Sequence, residues 1–219
     1  MSGRDEVLAR VRAALRTAER AAGPAHHDPP DPARRHRPAY DPGELVDAFA
    51  ERVADYRATV VRTTIGGVPA AVAAALDDLD PATVAGPAGL THGWAPDGAR
   101  DGSTLATDDL RRIEAVVTAC RLAVAETGTI VLDHAADQGP RRLTLVPDRH
   151  VCVVRASQLV PDVDDAFLVL HPGGAAPAPP LTFVSGPSAT SDIELQRVEG
   201  VHGPRTLVVV LVDDAGPAA

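Results

Sequence analysis

Lysine is absent from this 219-residue chain, and all 21 basic residues are arginine. A Schiff-base lysine and the phosphate-binding lysine of a P-loop are therefore excluded. Aromatic residues are also scarce. Only Tyr40, Phe49, Tyr56, Trp94, Phe167 and Phe183 are present, so the core must be built mainly from alanine, valine, leucine and isoleucine. Layers of small aliphatic side chains suit helices lying closely on a sheet. Two cysteines, Cys120 and Cys152, stand far apart and in no C-x-x-C arrangement, which excludes a self-contained cysteine-ligated iron–sulfur cluster or zinc site. A cationic surplus is missing too: the net charge of -9 argues against binding a phosphate backbone, and no nucleic-acid partner is expected. The longest aliphatic run, Leu207 to Val212, is far short of a membrane span, and Arg4, Asp5 and Glu6 stand where a signal peptide would be apolar. A cytoplasmic protein without a membrane span is expected.

With 45% hydrophobic residues, the chain has enough apolar surface for one globular unit with an appendage. The appendage is residues 1–23. Ser2 and Asp5 read as a capping box, Val7, Val11 and Leu15 recur at helical spacing, and Gly23-Pro24 ends the amphipathic helix. Residues 24–41 read as a flexible linker, since six prolines lie between Pro24 and Pro42. His26, His27 and His36 in that stretch are read as solvated, and no metal site is expected. An α/β domain follows over residues 42–214, with 215–219 as a disordered tail.

The domain begins on Asp41 as N-cap, with Pro42 at the first helical position and Leu45, Phe49, Val53 and Tyr56 on one face. β-rich runs then recur at Thr59 to Arg62, Thr83 to Ala85, Ala115 to Thr118, Thr129 to Leu132, His150 to Val154, Leu181 to Val184 and Thr206 to Val212. Helical patterns fall between several of them, notably Val68 to Leu79 and Val160 to Leu170. Such alternation predicts an α/β fold with a mainly parallel sheet and helices on both faces.

Three motifs are candidates for chemistry. In Ala125-Glu126-Thr127-Gly128-Thr129 a turn feeds an apolar strand, and Glu126 beside threonine hydroxyls is either a catalytic carboxylate or a solvated turn residue. In Gly186-Pro187-Ser188-Ala189-Thr190-Ser191-Asp192-Ile193-Glu194 a strand is followed by an expected short helical turn, whose free N–H groups suit a carboxylate or phosphate. Asp192 and Glu194 would oppose such an anion unless arginine or a metal intervened. In Gly200-Val201-His202-Gly203-Pro204-Arg205, His202 suits a general base and Arg205 a bidentate carboxylate clamp, although such a turn also occurs simply as a tight loop. The three are expected to converge at the carboxyl-end rim of the parallel sheet. A fourth, glycine-rich stretch, Gly86 to Trp94, lacks the dinucleotide pattern, and His92 and Trp94 there either line a pocket or pack the loop.

Taken together, these three motifs in this order resemble the lactate-utilization (LUD) domain family, C subtype, over about residues 42 to 214. The resemblance implies a fold similar to that of the glucosamine-phosphate isomerase, ribose-phosphate isomerase and CoA-transferase group. It further implies a subunit of an iron–sulfur-dependent system oxidising L-lactate to pyruvate, working with A-type and B-type iron–sulfur proteins that carry the clusters. No cofactor is expected on this chain. Glu126 and His202 are the expected catalytic residues, and Thr127, Gly128, Gly186, Ser188, Thr190, Asp192, Glu194, Gly203 and Arg205 the expected ligand-binding ones, with a small carboxylate as ligand. Two rival readings remain: a stand-alone non-redox enzyme or binding protein for an acyl-CoA, nucleotide or sugar-phosphate ligand, with Glu126 as nucleophile, and an assembly subunit without chemistry.

Overall fold

The structure, a computed structural model, describes residues 3–21, 41–171, 180–191, 197–199 and 203–214. Contacts divide the chain into two compact units, Met1–Ala39 and Tyr40–Ala219. In the first, the expected helix is present as α1 (Gly3–Ala21), with Glu6 and Arg10 paired at 2.7 Å one turn apart. The proline-rich stretch up to residue 40 and the tail 215–219 lie outside the described residues.

The second unit opens as the sequence predicts. α2 (Pro42–Asp55) starts on Asp41, whose carboxylate accepts a hydrogen bond from Gly43 N at 2.7 Å, while Pro42 supplies the fixed φ of a first helical residue. There follow β1 (Thr59–Thr64), α3 (Val68–Ala75), β2 (Val84–Gly86), β3 (Arg100–Asp101), α4 (Thr107–Leu110), β4 (Ala115–Thr118), β5 (Leu122–Val124), β6 (Thr129–Leu132) and β7 (Arg149–Arg155). The chain continues through β8 (Leu159–Val160), α5 (Val163–Leu170), β9 (Thr182–Val184), β10 (Ala189–Ser191), β11 (Arg197–Glu199) and β12 (Thr206–Asp213).

Six strands form a sheet in the order β1-β12-β7-β4-β2-β3, with every pairing parallel. Val209 at its centre pairs with Val60 on one side and Cys152 on the other. All six residues from Leu207 to Val212 are buried, because β12 has neighbours on both edges and cover on both faces. On one face, Val68, Val72 and Leu76 from α3 and its cap pack on Val151, Val153 and Val210. On the other, Phe49 and Val53 of α2 share a core with Cys152, Val154 and Leu211. Burying a valine side chain is worth roughly 1.5–3 kcal/mol, whereas an exposed ion pair contributes about 0–1 kcal/mol. The valines of β7 and β12, not the ion pairs at the rim, therefore hold the centre together.

The parallel sheet with helices on both faces agrees with the sequence reading, but two of the β-rich runs do not join it. β6 and β9 belong to a second sheet, ordered β8-β5-β6-β9, in which β5 with β6 and β6 with β9 are antiparallel. Its Ile130 and Leu132 face the α2 core, and Ala166 of α5 packs on its other side against Leu122, Val124 and Val131. A second correction concerns the segment after Ser188. In place of a helical turn, β10 pairs antiparallel with β11. Two helices are shorter than predicted: α3 ends at Ala75, and α5 begins only after Asp162, whose carboxylate caps Asp165 N at 2.9 Å.

Candidate functional site

A parallel sheet delivers all its strand ends to one rim, where loops are free to form a ligand site. Here the chain leaving β2 folds back over the carboxyl ends as the Gly86–Trp94 loop, and Trp94 is buried at its end. Arg155 is the last residue of β7, and its guanidinium carbon lies 5.4 Å from the centroid of the Trp94 ring. The next turn returns Gln158 to the same place. Gln158 Oε1 accepts from Arg155 N at 3.0 Å and its Nε2 donates to Cys120 O at 2.7 Å, which ties the end of β7 to the exit of β4.

Asp137 comes from the connection between β6 and β7. That connection is laced to its surroundings: Ala119 N donates to Asp137 O at 3.0 Å, and Gly89 N donates to Ala136 O at 3.1 Å. The buried amide of Gln138 accepts from Asp133 N and His134 N at 2.8 and 3.1 Å. His134 adopts φ 60, a conformation non-glycine residues rarely take unless their surroundings enforce it. Its Nε2 is bonded to Thr182 Oγ1 at 3.0 Å, and its buried Nδ1 has no hydrogen-bond partner among the described residues.

These segments enclose a cavity of about 120 Å³, with Ala119 and Val153 as apolar wall and Thr91, Trp94, Asp137, Arg155 and Gln158 around it. A wider recess of about 220 Å³ adjoins it at Thr91 and runs along the chain to Asp101. Arg155 is in no ion pair among the described residues. The arrangement offers one cation, one carboxylate and one hydroxyl to a small polar molecule.

Pairing of β4 with β7 also brings together the two cysteines that stand far apart in sequence, both fully enclosed. Thr118 Oγ1 is 2.8 Å from His150 Nε2, and Cys120 Sγ donates to Gln158 Oε1 at 3.5 Å. Contact with the neighbouring Cys120 thiol, then with His150 and the Thr118 hydroxyl, lowers Cys152 to about 5 against the opposing effect of burial. The same contact and burial push Cys120 well above the ordinary thiol range. The two sulfurs inside the sheet are thus shifted in opposite directions, Cys152 down and Cys120 up.

The three sequence motifs meet in part, but at the opposite rim. Arg205 directly precedes β12 and is exposed, so it lies at the amino end of the parallel strands, 3.7 Å from Asp148, which directly precedes β7. Ser188 N donates to Pro204 O at 2.7 Å, and Gly203 lies beside the Ser188 side chain. Thr127 Oγ1 donates to Thr129 Oγ1, which is 2.8 Å from Ser185 Oγ. Gly128, at φ 60, backs onto Arg52 and Val53, and Gly186, at φ 85, onto Tyr56, both at the end of α2 that leads into β1. Glu126 is exposed, with its backbone N–H held by Pro161 O at 3.0 Å. Thr190 lies in β10 opposite Val198. Asp192, Glu194 and His202 lie outside the described residues. The expected convergence at the carboxyl rim is therefore corrected: strand direction puts these loops at the amino rim.

Sequence reasoning missed Arg155, Asp137 and Gln158. The available signal was Arg155 closing an apolar strand. Asp137 sits in a segment with no motif. Among the described residues no helix is long and apolar enough to cross a membrane, and no cluster of three or more histidine, cysteine or acidic residues could hold a metal ion.

A family model for the LUD domain matches residues 51–212. Lactate utilization protein C of Deinococcus radiodurans is 45% identical over 172 residues, 77% of this chain and 80% of that protein. Lactate utilization protein C of Bacillus subtilis is 33% identical over 101 residues, covering 45% of this chain and 42% of that one. The crystal structure of a DUF162 family protein from Deinococcus radiodurans superposes with a TM-score of 0.66 at 34% identity, covering 79% of this chain and 99% of that one.

Proposed function

The chain belongs to the LUD domain family, and from that premise we propose that it is a subunit of an iron–sulfur-dependent system that oxidises L-lactate to pyruvate. The observation that carries this reading is the 45% identity to a lactate utilization protein C along most of both chains. Chemistry supports the need for partners. Converting a 2-hydroxy acid to a 2-oxo acid removes two electrons and two protons, and the electrons need an acceptor. The sequence has two cysteines, neither in cluster spacing, and no dinucleotide fingerprint. The acceptor is therefore assigned to A-type and B-type iron–sulfur subunits, and this chain contributes substrate binding.

The test is anaerobic co-purification of the tagged chain from its native cells, followed by lactate-dependent reduction of a dye. Iron-containing partners should co-purify, and dye reduction should require them together with this chain. A chain that purifies without partners and carries a bound CoA ester or nucleotide would overturn the proposal in favour of a stand-alone, non-redox role.

A further inference from the structure

We infer that the cavity beneath the Gly86–Trp94 loop is a binding site for a small 2-hydroxy carboxylate, with Arg155 holding the carboxylate and Asp137 accepting a hydrogen bond from the hydroxyl. The choice of L-lactate as the acid rests on the function proposed above. The location and chemical class rest on the cavity itself.

Charge comes first. Arg155 has no carboxylate partner among the described residues, and its guanidinium lies against the Trp94 ring. A guanidinium held beside an aromatic ring still carries several N–H donors, which match the two oxygens of a carboxylate. Asp137 supplies the complementary acceptor in the same cavity. A 2-hydroxy acid carries an anion and a hydroxyl donor on adjacent carbons, so it satisfies both groups at once. A dicarboxylate or a phosphate would bring further negative charge towards Asp137, which like-charge repulsion disfavours.

Size points the same way. The cavity measures about 120 Å³, many times the roughly 10–15 Å³ that admits one water molecule. A molecule of a few heavy atoms fits within it. The site is also preformed: Gln158 holds both the Arg155 backbone and the Cys120 carbonyl, and backbone bonds from Ala119 and Gly89 fix the Asp137 segment. Groups fixed in this way lose little freedom on binding.

Trp94 is the only tryptophan in the chain, so intrinsic fluorescence reports on this cavity. Titrating the full chain with sodium L-lactate, against sodium chloride as control, should give a saturable change. Arg155→Gln should weaken it about tenfold or more, and Arg155→Lys, which keeps the charge, should weaken it less. Asp137→Ala, which removes the acceptor, should reduce the preference for L-lactate over propionate, which lacks the hydroxyl. That contrast decides the matter even if Arg155→Gln does not fold. No saturable response, or equal affinities in wild type and the folded Arg155 and Asp137 variants, overturns the inference. A complex that oxidises lactate equally well with Arg155→Gln overturns the cavity but leaves the proposed function standing. Binding of glycolate through Arg155 and Asp137 by a chain whose complex is inert to lactate leaves the cavity standing and overturns the proposed function.

Discussion

Arg205 Nη1 lies 3.7 Å from Asp148 Oδ2, each residue standing immediately before a central strand of the parallel sheet. Both side chains are well exposed, and an exposed pair of this kind contributes about 0–1 kcal/mol. Arg205→Ala should therefore shift the denaturant midpoint only slightly. Its L-lactate titration, read through Trp94, should match wild type because the cavity is at the other end of the strands. A tenfold loss of affinity would return Arg205 to the role of carboxylate clamp.

Gly128 offers a sharper stability test. A Cβ there would sit 2.8 Å from Arg52 Cβ and 2.9 Å from the α2 backbone, at a positive φ. Overpacking costs about 1–3 kcal/mol, and the left-handed conformation adds to it. Gly93 has a similar φ of 80 but open space around its Cβ position. Chemical denaturation should show Gly128→Ala clearly less stable than Gly93→Ala; equal losses would mean that the close approach to α2 contributes nothing.

Removing the Gln158 amide leaves Arg155 N and the Cys120 carbonyl without their present partners. An unsatisfied half-buried group costs about 1–3 kcal/mol, and each kcal/mol shifts Tm by roughly 2–4 °C in a domain of this size. Gln158→Leu should lower Tm by several degrees and weaken L-lactate binding as well, since Arg155 loses its support. Calorimetry and the Trp94 titration on one preparation check both halves.

The thiol pair gives a pH prediction. Cys152 is lowered to about 5 from an ordinary value of 9.0. Its stabilising contribution is therefore fully present above about 9 and is lost as pH falls through about 5. Cys120 is shifted upward, so its contribution has the opposite slope and is lost on the alkaline side. Ultraviolet absorbance should detect a thiolate at neutral pH that disappears near pH 5, and His150→Phe should move that midpoint upward. Absence of thiolate until alkaline pH in the wild-type chain would contradict the arrangement.

The central strand and the start of the domain were legible because their causes are local. Leu207 to Val212 is an apolar run that only a doubly covered strand accommodates, and Asp41-Pro42 is a cap followed by a residue with preset φ. Gly128 was likewise legible as a turn. Assignment of strands to sheets was not. β6 and β9 have the same β-branched composition as β1, and nothing in their own residues says that the chain leaves the parallel sheet after Thr118. The cavity was hidden for a related reason. Trp94, Asp137 and Arg155 come from three separate segments, and they meet only because β7 lies next to β4 and the β2 loop folds over both.

The slot that β12 fills has a bearing on biosynthesis. Among the described residues β1 joins the parallel sheet only through β12, so this strand, once synthesised, has no permanent sheet neighbour until residues near 213 have emerged. More than 140 residues separate the partners Thr59 and Val208, and closing so long a loop is slow compared with forming a local hairpin. During that interval β1 and α2 present unpaired backbone and uncovered valines, the features that promote association between nascent chains. Moving the segment from Thr206 to Asp213 ahead of β1 by circular permutation would let this edge pair early, and refolding should then be faster without any change in the core.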